Sequence, residues 1–149
     1  MAIVTVGNIE IVVRTRDEHC PPHVHADCTP DRWEARYKFN FLDDEVTHWD
    51  TTPLHNAPTK ATLDKVGASI YGSLAKIRKR WWQVMGTTCL ENLYVNRVTV
   101  IENGKATVKL IFGNAGAKGV VQVMTAAYDP ATQILTATLS DGTPHQQQL

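Results

Sequence analysis

The sequence predicts an α+β fold: an antiparallel N-terminal sheet packed by one long helix, followed by a C-terminal antiparallel β-meander. Three observations carry this reading. Apolar and polar residues alternate strictly through 33–41, an apolar repeat of three and four residues runs through 60–84, and from residue 93 onward the chain is β-rich and punctuated by hairpin signals. A chain of 149 residues is long enough to bury its own core. The change of character after Gly86 divides it into a histidine-bearing α+β unit, 1–86, and a meander extension, 87–149, expected to pack with the first as one compact domain.

Taken in order, 1–6 and 9–16 read as strands joined at Gly7-Asn8, a dipeptide suited to a two-residue hairpin. Pro21-Pro22 removes two backbone donors, so 17–22 reads as a loop. Residues 23–28 resume a strand, and Thr29-Pro30-Asp31-Arg32 turns the chain into 33–41, where Trp33, Ala35, Tyr37, Phe39 and Phe41 share one face. A short strand, 45–49, precedes a proline-bearing loop, 50–59. Leu63, Val66, Ile70, Leu74, Ile77, Trp81 and Val84 then form the stripe of a single helix over 60–84. A second strip of small residues, Ala61, Ala68, Gly72 and Ala75, leaves room for another layer, a second subunit or solvent. Beyond it, 93–101 and 105–112 flank the hairpin dipeptide Asn103-Gly104, and 119–128 and 134–139 complete four strands, with the tail 145–149 expected to fray.

Composition narrows function mainly by exclusion. Fifteen basic residues balance fifteen acidic ones, so no long-range field marks a dedicated nucleic-acid binder, and any anion would have to be held by a local patch. The N-terminal stretch lacks the pattern of a secretory signal, and no apolar run approaches the roughly 18 residues of a membrane span. Cys20, Cys28 and Cys89 are an odd, scattered set that reads as reduced packing thiols. The expected setting is therefore cytoplasmic, with no membrane partner.

The segment Glu18-His19-Cys20-Pro21-Pro22-His23-Val24-His25-Ala26-Asp27 resembles a small bacterial family of unknown function with an Asp-His-x-Pro-Pro-His-x-His signature, whose members are described as toxin–antitoxin-associated. His19, Pro21, Pro22, His23 and His25 match that signature, Glu18 stands where aspartate is usual, and Cys20 fills the variable place. The likeness runs over roughly residues 7–84 and leaves the C-terminal β part outside it. It implies a fold for the first unit and a toxin–antitoxin-like or mobile-element setting, but no activity.

A four-residue loop at 29–32 sets Cys28 against Trp33, Asp27 against Glu34, His25 against Arg36 and His23 against Lys38. Val24, Ala26, Cys28, Trp33, Ala35 and Tyr37 then face the helix, whereas His23, His25, Asp27, Glu34, Arg36 and Lys38 occupy the uncovered side. Two readings of that side follow. His23 and His25 point the same way and can share a divalent metal such as Zn²⁺ or Ni²⁺, with a third ligand drawn from His19, His48, His55 or a carboxylate of a neighbouring strand. Alternatively His19, His23, His25, Arg36 and Lys38 form an anion-binding face for phosphate or RNA. On it His23 and His25 could act as a catalytic base and acid toward a 2′-hydroxyl. The plain reading, polar residues on a solvated or interface-facing sheet, stands beside both.

Lys76, Arg78, Lys79 and Arg80 sit where cations oppose the dipole of a helix C-terminus. Trp82 points about 100° from the apolar stripe and is the candidate anchor for a partner protein or a homodimer. The glycine-rich run 113–119 precedes a strand and so reads as a hairpin loop, not as a phosphate loop.

Overall fold

A computed structural model describes residues 2–149 as a mixture of helix and strand, mostly sheet, with two antiparallel sheets and two helices. Met1, the first residue of the expected opening strand, lies outside the described residues. The chain forms two units: residues up to Asn40 together with Asp44–Gly86, and Phe41–Asp43 together with Thr87–Leu149. Among the described residues no helix is long and apolar enough to cross a membrane.

In the first unit, strands β1 (Val4–Val6), β2 (Ile9–Val12), β3 (His23–Cys28), β4 (Trp33–Lys38) and β5 (Thr47–Thr52) pair in sequence order as an antiparallel sheet. Gly7 takes φ 59°, which closes the two-residue turn between Val6 and Ile9. β3 and β4 pair in the register deduced from the loop length, Cys28 opposite Trp33 and His23 opposite Lys38. β4 stops three residues short of the expected end: the Phe39 amide bonds to the Pro22 carbonyl, and Phe41 belongs to the other unit. β5 lies later than expected, and a bulge between Arg36 and Tyr37 adjusts its pairing with β4.

The single long helix is in fact two. α1 (Lys60–Tyr71) begins at Thr59, whose side chain accepts from the Thr62 amide, and α2 (Leu74–Met85) ends at Gly86 in the left-handed region, φ 64°. The break falls at Gly72-Ser73, where Ser73 leaves helical geometry at φ −121°, ψ 16°. Glycine and serine both give up helix readily, the first through backbone freedom and the second through competing local hydrogen bonds. The stripe nevertheless runs on across the break, since Val66, Ile70, Leu74, Ile77 and Trp81 are all buried, so a periodicity argument passes over it. The Tyr37 hydroxyl donates to the Leu63 carbonyl at 2.8 Å, which ties α1 to the apolar face of the sheet. The small-residue strip Ala61, Ala68, Gly72 and Ala75 is exposed. Arg78, read as one of a run of helix-end cations, is instead buried: it donates to the Asn40 carbonyl and pairs with Asp44. Cys28 is a buried free thiol, whereas Cys20 and Cys89 are not free thiols, which corrects the expectation of a fully reduced set.

The second unit holds β6 (Tyr94–Glu102), β7 (Lys105–Phe112), β8 (Val121–Asp129), β9 (Ile134–Leu139) and β10 (Pro144–Gln148) in the order β10-β9-β8-β6-β7. The expected four-stranded meander is corrected on two counts. β8 skips β7 and pairs with β6 through Tyr94 opposite Gln122 and Val95 opposite Val121, and the tail is a fifth strand. Gln147 explains the order of the tail. Its buried amide accepts from the Leu110 N–H and from His145 Nε2, and donates to the Leu42 carbonyl, so its polar atoms are satisfied inside the unit. Asn103 and Gly104 both adopt positive φ, the requirement of the tight hairpin their identity signals.

Candidate metal centre

On an extended strand, side chains two apart project to the same side, so β3 presents His23 and His25 together. The loop between β2 and β3 brings a third group to them: Glu18 Oε1 lies 2.9 Å from His25 Nε2, and Glu18 Oε2 lies 3.3 Å from His23 Nε2. The three ligand atoms, one from each residue, all fall within 4.8 Å of one another. Their side chains are 4%, 2% and 7% exposed for Glu18, His23 and His25, so this is an interior cluster, not a solvated face. The His23 ring stands 5.3 Å from that of Trp49 and 5.6 Å from that of Trp81. Trp81 belongs to α2, which corrects the expectation that the helical segment leaves the imidazole side of the sheet uncovered.

The hydrogen bonds around the cluster assign its lone pairs. His23 Nδ1 lies 2.9 Å from the Pro21 carbonyl oxygen, which only accepts, so that nitrogen carries the proton and Nε2 is left facing Glu18. Burial, aided by the neighbouring His25 and His19, lowers the His23 pKa against the opposing Pro21 bond and Glu18 charge, and the neutral ring is favoured. His25 contacts a carboxylate on either side: Nδ1 is 2.6 Å from Glu34 Oε1 and Nε2 is 2.9 Å from Glu18 Oε1. A neutral imidazole has one proton for these two acceptors. With it on Nδ1, both Nε2 atoms aim lone pairs at one carboxylate. Glu18 Oε2 is buried without a hydrogen-bond partner, because its 3.3 Å approach to His23 lacks hydrogen-bond geometry. Lone pairs so opposed need a positive charge or a proton between them, supplied by a proton on the carboxyl or on a ring, or by a metal.

The donor set fits a metal. Ligand bonds of roughly 2.0–2.1 Å in a tetrahedron place neighbouring donors about 3.3 Å apart, and the three donor atoms here, one from each residue, lie within 4.8 Å of one another. Two imidazoles and a carboxylate form the usual three-ligand set of hydrolytic zinc and non-haem iron centres. The outer layer has the matching form. The Glu34 carboxylate accepts from His25 and from Arg14 at 2.7 Å, and Arg14 also reaches Asp27 at 3.2 Å. Burial pushes the Glu34 carboxyl up, yet its bonds to His25 and Arg14 together outweigh this and hold it below the usual carboxylate range. A carboxylate behind a ligating histidine orients the ring and raises its basicity.

The other expected site residues are placed differently. Arg36 gives its fork to Asp50, with Nε 2.9 Å from Oδ1 and a second bond from the terminal nitrogen to Oδ2, and its guanidinium carbon lies 4.1 Å over the Trp49 ring. Lys38 Nζ is 5.2 Å from the same ring. The proposed histidine–cation face is thus divided into buried imidazoles and an arginine already engaged. His19 is exposed and lies beside His23, ring centroids 5.4 Å apart, but is not one of the three converging groups. His48 contacts Thr51 at 2.8 Å and His55 lies on a short 3-10 turn at Leu54–Asn56, so neither supplies the third ligand. Trp82 is half-buried. Glu18 is the residue that strand register alone misses, since it comes from a loop. Its signal was the acidic position that opens the histidine–proline signature. An open pocket of about 620 Å³ adjoins the cluster and is lined by Glu18, His19, His23 and His25 among others.

No family model matches this chain, and no curated protein or solved structure matches it.

Proposed function

We propose that this protein binds a divalent transition metal, with Zn²⁺ the best fit to the donor set, through Glu18, His23 and His25. Three protein ligands beside an open pocket leave a coordination position for water or a substrate, the arrangement of a catalytic metal site, since a structural site closes all four positions. One observation carries the reading: a buried carboxylate oxygen without a hydrogen-bond partner, facing ring nitrogens whose opposite nitrogens face acceptors. At such a centre the metal would polarise a bound oxygen. Glu34 and the Pro21 carbonyl hold the two rings in the ligating tautomer.

Elemental analysis of protein prepared without a histidine tag, after metal-supplemented refolding and desalting, tests this directly. Wild type should carry close to one metal per chain, and His23→Ala/His25→Ala and Glu18→Gln close to none. A metal-free wild type would show that the cluster is held by a shared proton instead.

The earlier expectation, an anionic partner such as RNA on a face built from His23, His25, Arg36 and Lys38, has less support because Asp50 neutralises Arg36. Its test is RNA binding by Arg36→Ala/Lys38→Ala, for which the metal reading predicts no change from wild type. The toxin–antitoxin-like or mobile-element setting implied by the signature is compatible with a metal centre and adds no ligand to it.

A further inference from the structure

The pocket beside the candidate metal centre is lined by four arginines, and two of them are already engaged. Arg14 pairs with Asp27 and Glu34, and Arg36 pairs with Asp50. Among the described residues Arg16 and Arg80 have no ion-pair partner. They reach the pocket from different elements: Arg16 stands two residues before Glu18 on the β2–β3 loop, and Arg80 adjoins Trp81, whose ring packs against His23.

Charge bookkeeping decides what such a pocket attracts. The four arginines contribute four positive charges, whereas Glu10, Asp17, Glu18 and Asp27 in the lining, with Glu34 and Asp50 paired to Arg14 and Arg36, contribute six negative ones. The pocket without metal is therefore repulsive to anions, and a divalent ion at Glu18, His23 and His25 cancels that excess of negative charge. Two guanidinium forks and a metal with an open position make three separate demands for acceptor oxygens. A carboxylate has two oxygens, which one fork can saturate, whereas a phosphoryl group has three or more directed to different sides.

We infer that the metal-loaded centre takes a phosphoryl oxyanion, either inorganic phosphate or a phosphomonoester, with one oxygen on the metal and others on Arg16 and Arg80. This rests on the metal-binding reading above and adds the class of ligand. Binding is conditional on the metal, because without it the pocket keeps an excess of negative charge and offers an anion no open coordination position.

The test uses full-length protein loaded with Co²⁺, whose visible absorption reports changes in coordination. Inorganic phosphate should bind the loaded protein and alter the Co²⁺ spectrum, while calorimetry with the metal-free protein should register no phosphate binding. Arg16→Ala and Arg80→Ala should each weaken phosphate by about tenfold, the loss expected for one charge-assisted contact, with Co²⁺ uptake unchanged. Acetate should compete poorly. A phosphomonoester binding as tightly as phosphate, or more tightly, identifies the ester as the ligand, and a much weaker one identifies the free ion. Phosphate affinity that ignores both arginine substitutions, or is equal with and without metal, overturns the inference. Arg16 lies on an exposed loop, so its variant remains decisive if Arg80→Ala folds poorly. Co²⁺ uptake with no phosphate response overturns this inference alone, whereas failure to take up Co²⁺ removes the metal reading with it.

Discussion

Glu34 touches no candidate ligand atom directly, and its substitution is the sharpest probe of whether His25 is held for a metal. Its carboxylate accepts from His25 Nδ1 at 2.6 Å, which commits the ring proton to that side and turns Nε2 toward Glu18. Loss of such an outer partner costs roughly 10–100-fold in metal affinity, about 1.4–2.7 kcal/mol. Glutamine retains an acceptor oxygen and loses only the charge, so Glu34→Gln should fall near the tenfold end. Glu34→Ala removes the acceptor and should approach the hundredfold end. Arg14 also loses a partner in both variants, and Asp27→Asn supplies the control: it removes the other carboxylate bonded to Arg14 while leaving His25 untouched. Competition with a chromophoric chelator near neutral pH gives all four affinities. Wild-type affinity in Glu34→Ala, or an equal loss in Asp27→Asn, would refute the assignment of Glu34 as the group that orients the ligand.

Other expectations concern the fold around the centre. Gly72→Ala should stabilise the protein by about 0.5–1 kcal/mol, because Gly72 is right-handed and an added Cβ meets only ordinary contacts at 3.5 and 3.8 Å. Gly86→Ala should destabilise by about 1 kcal/mol at its left-handed φ of 64°. Urea titration reads both, and equal signs for the two would contradict the helix ends described. The Arg36 hydrogen bonds hold the Asp50 carboxyl below its usual range despite partial burial. Its contribution is therefore present above the unfolded value of about 3.9 and is lost as pH falls through the lower folded value. Asp50→Asn should melt lower than wild type at neutral pH and converge with it below about pH 4; a constant difference across that range would count against the pairing. Gln147→Ala should cost about 1–3 kcal/mol by orphaning the buried Leu110 amide, and stability within a few tenths of wild type would mean the tail strand is dispensable.

Much of the architecture was legible locally. The strand at 23–28, its four-residue turn and its pairing with 33–38 follow from alternation and loop length, and both hairpin dipeptides mark turns. Elements whose limits depend on tertiary partners were less legible. The end of β4 is set by the Pro22 carbonyl, and the order of the tail by acceptors and donors on Leu110, Leu42 and His145. The break at Gly72-Ser73 kept the apolar phase and so left no mark on the periodicity.

The candidate site divides along the same line. Sequence alone determined that His23 and His25 share one side of a strand opposite Lys38 and Arg36, because a period of two and a fixed register leave no other choice. Only the tertiary structure decided that this side is buried, that Glu18 closes over it, and that Asp50 engages the arginine expected to face a ligand. The physical reason is that strand geometry is a property of neighbouring backbone dihedrals. The approach of a loop carboxylate and the pairing of side chains belong to the packed chain as a whole.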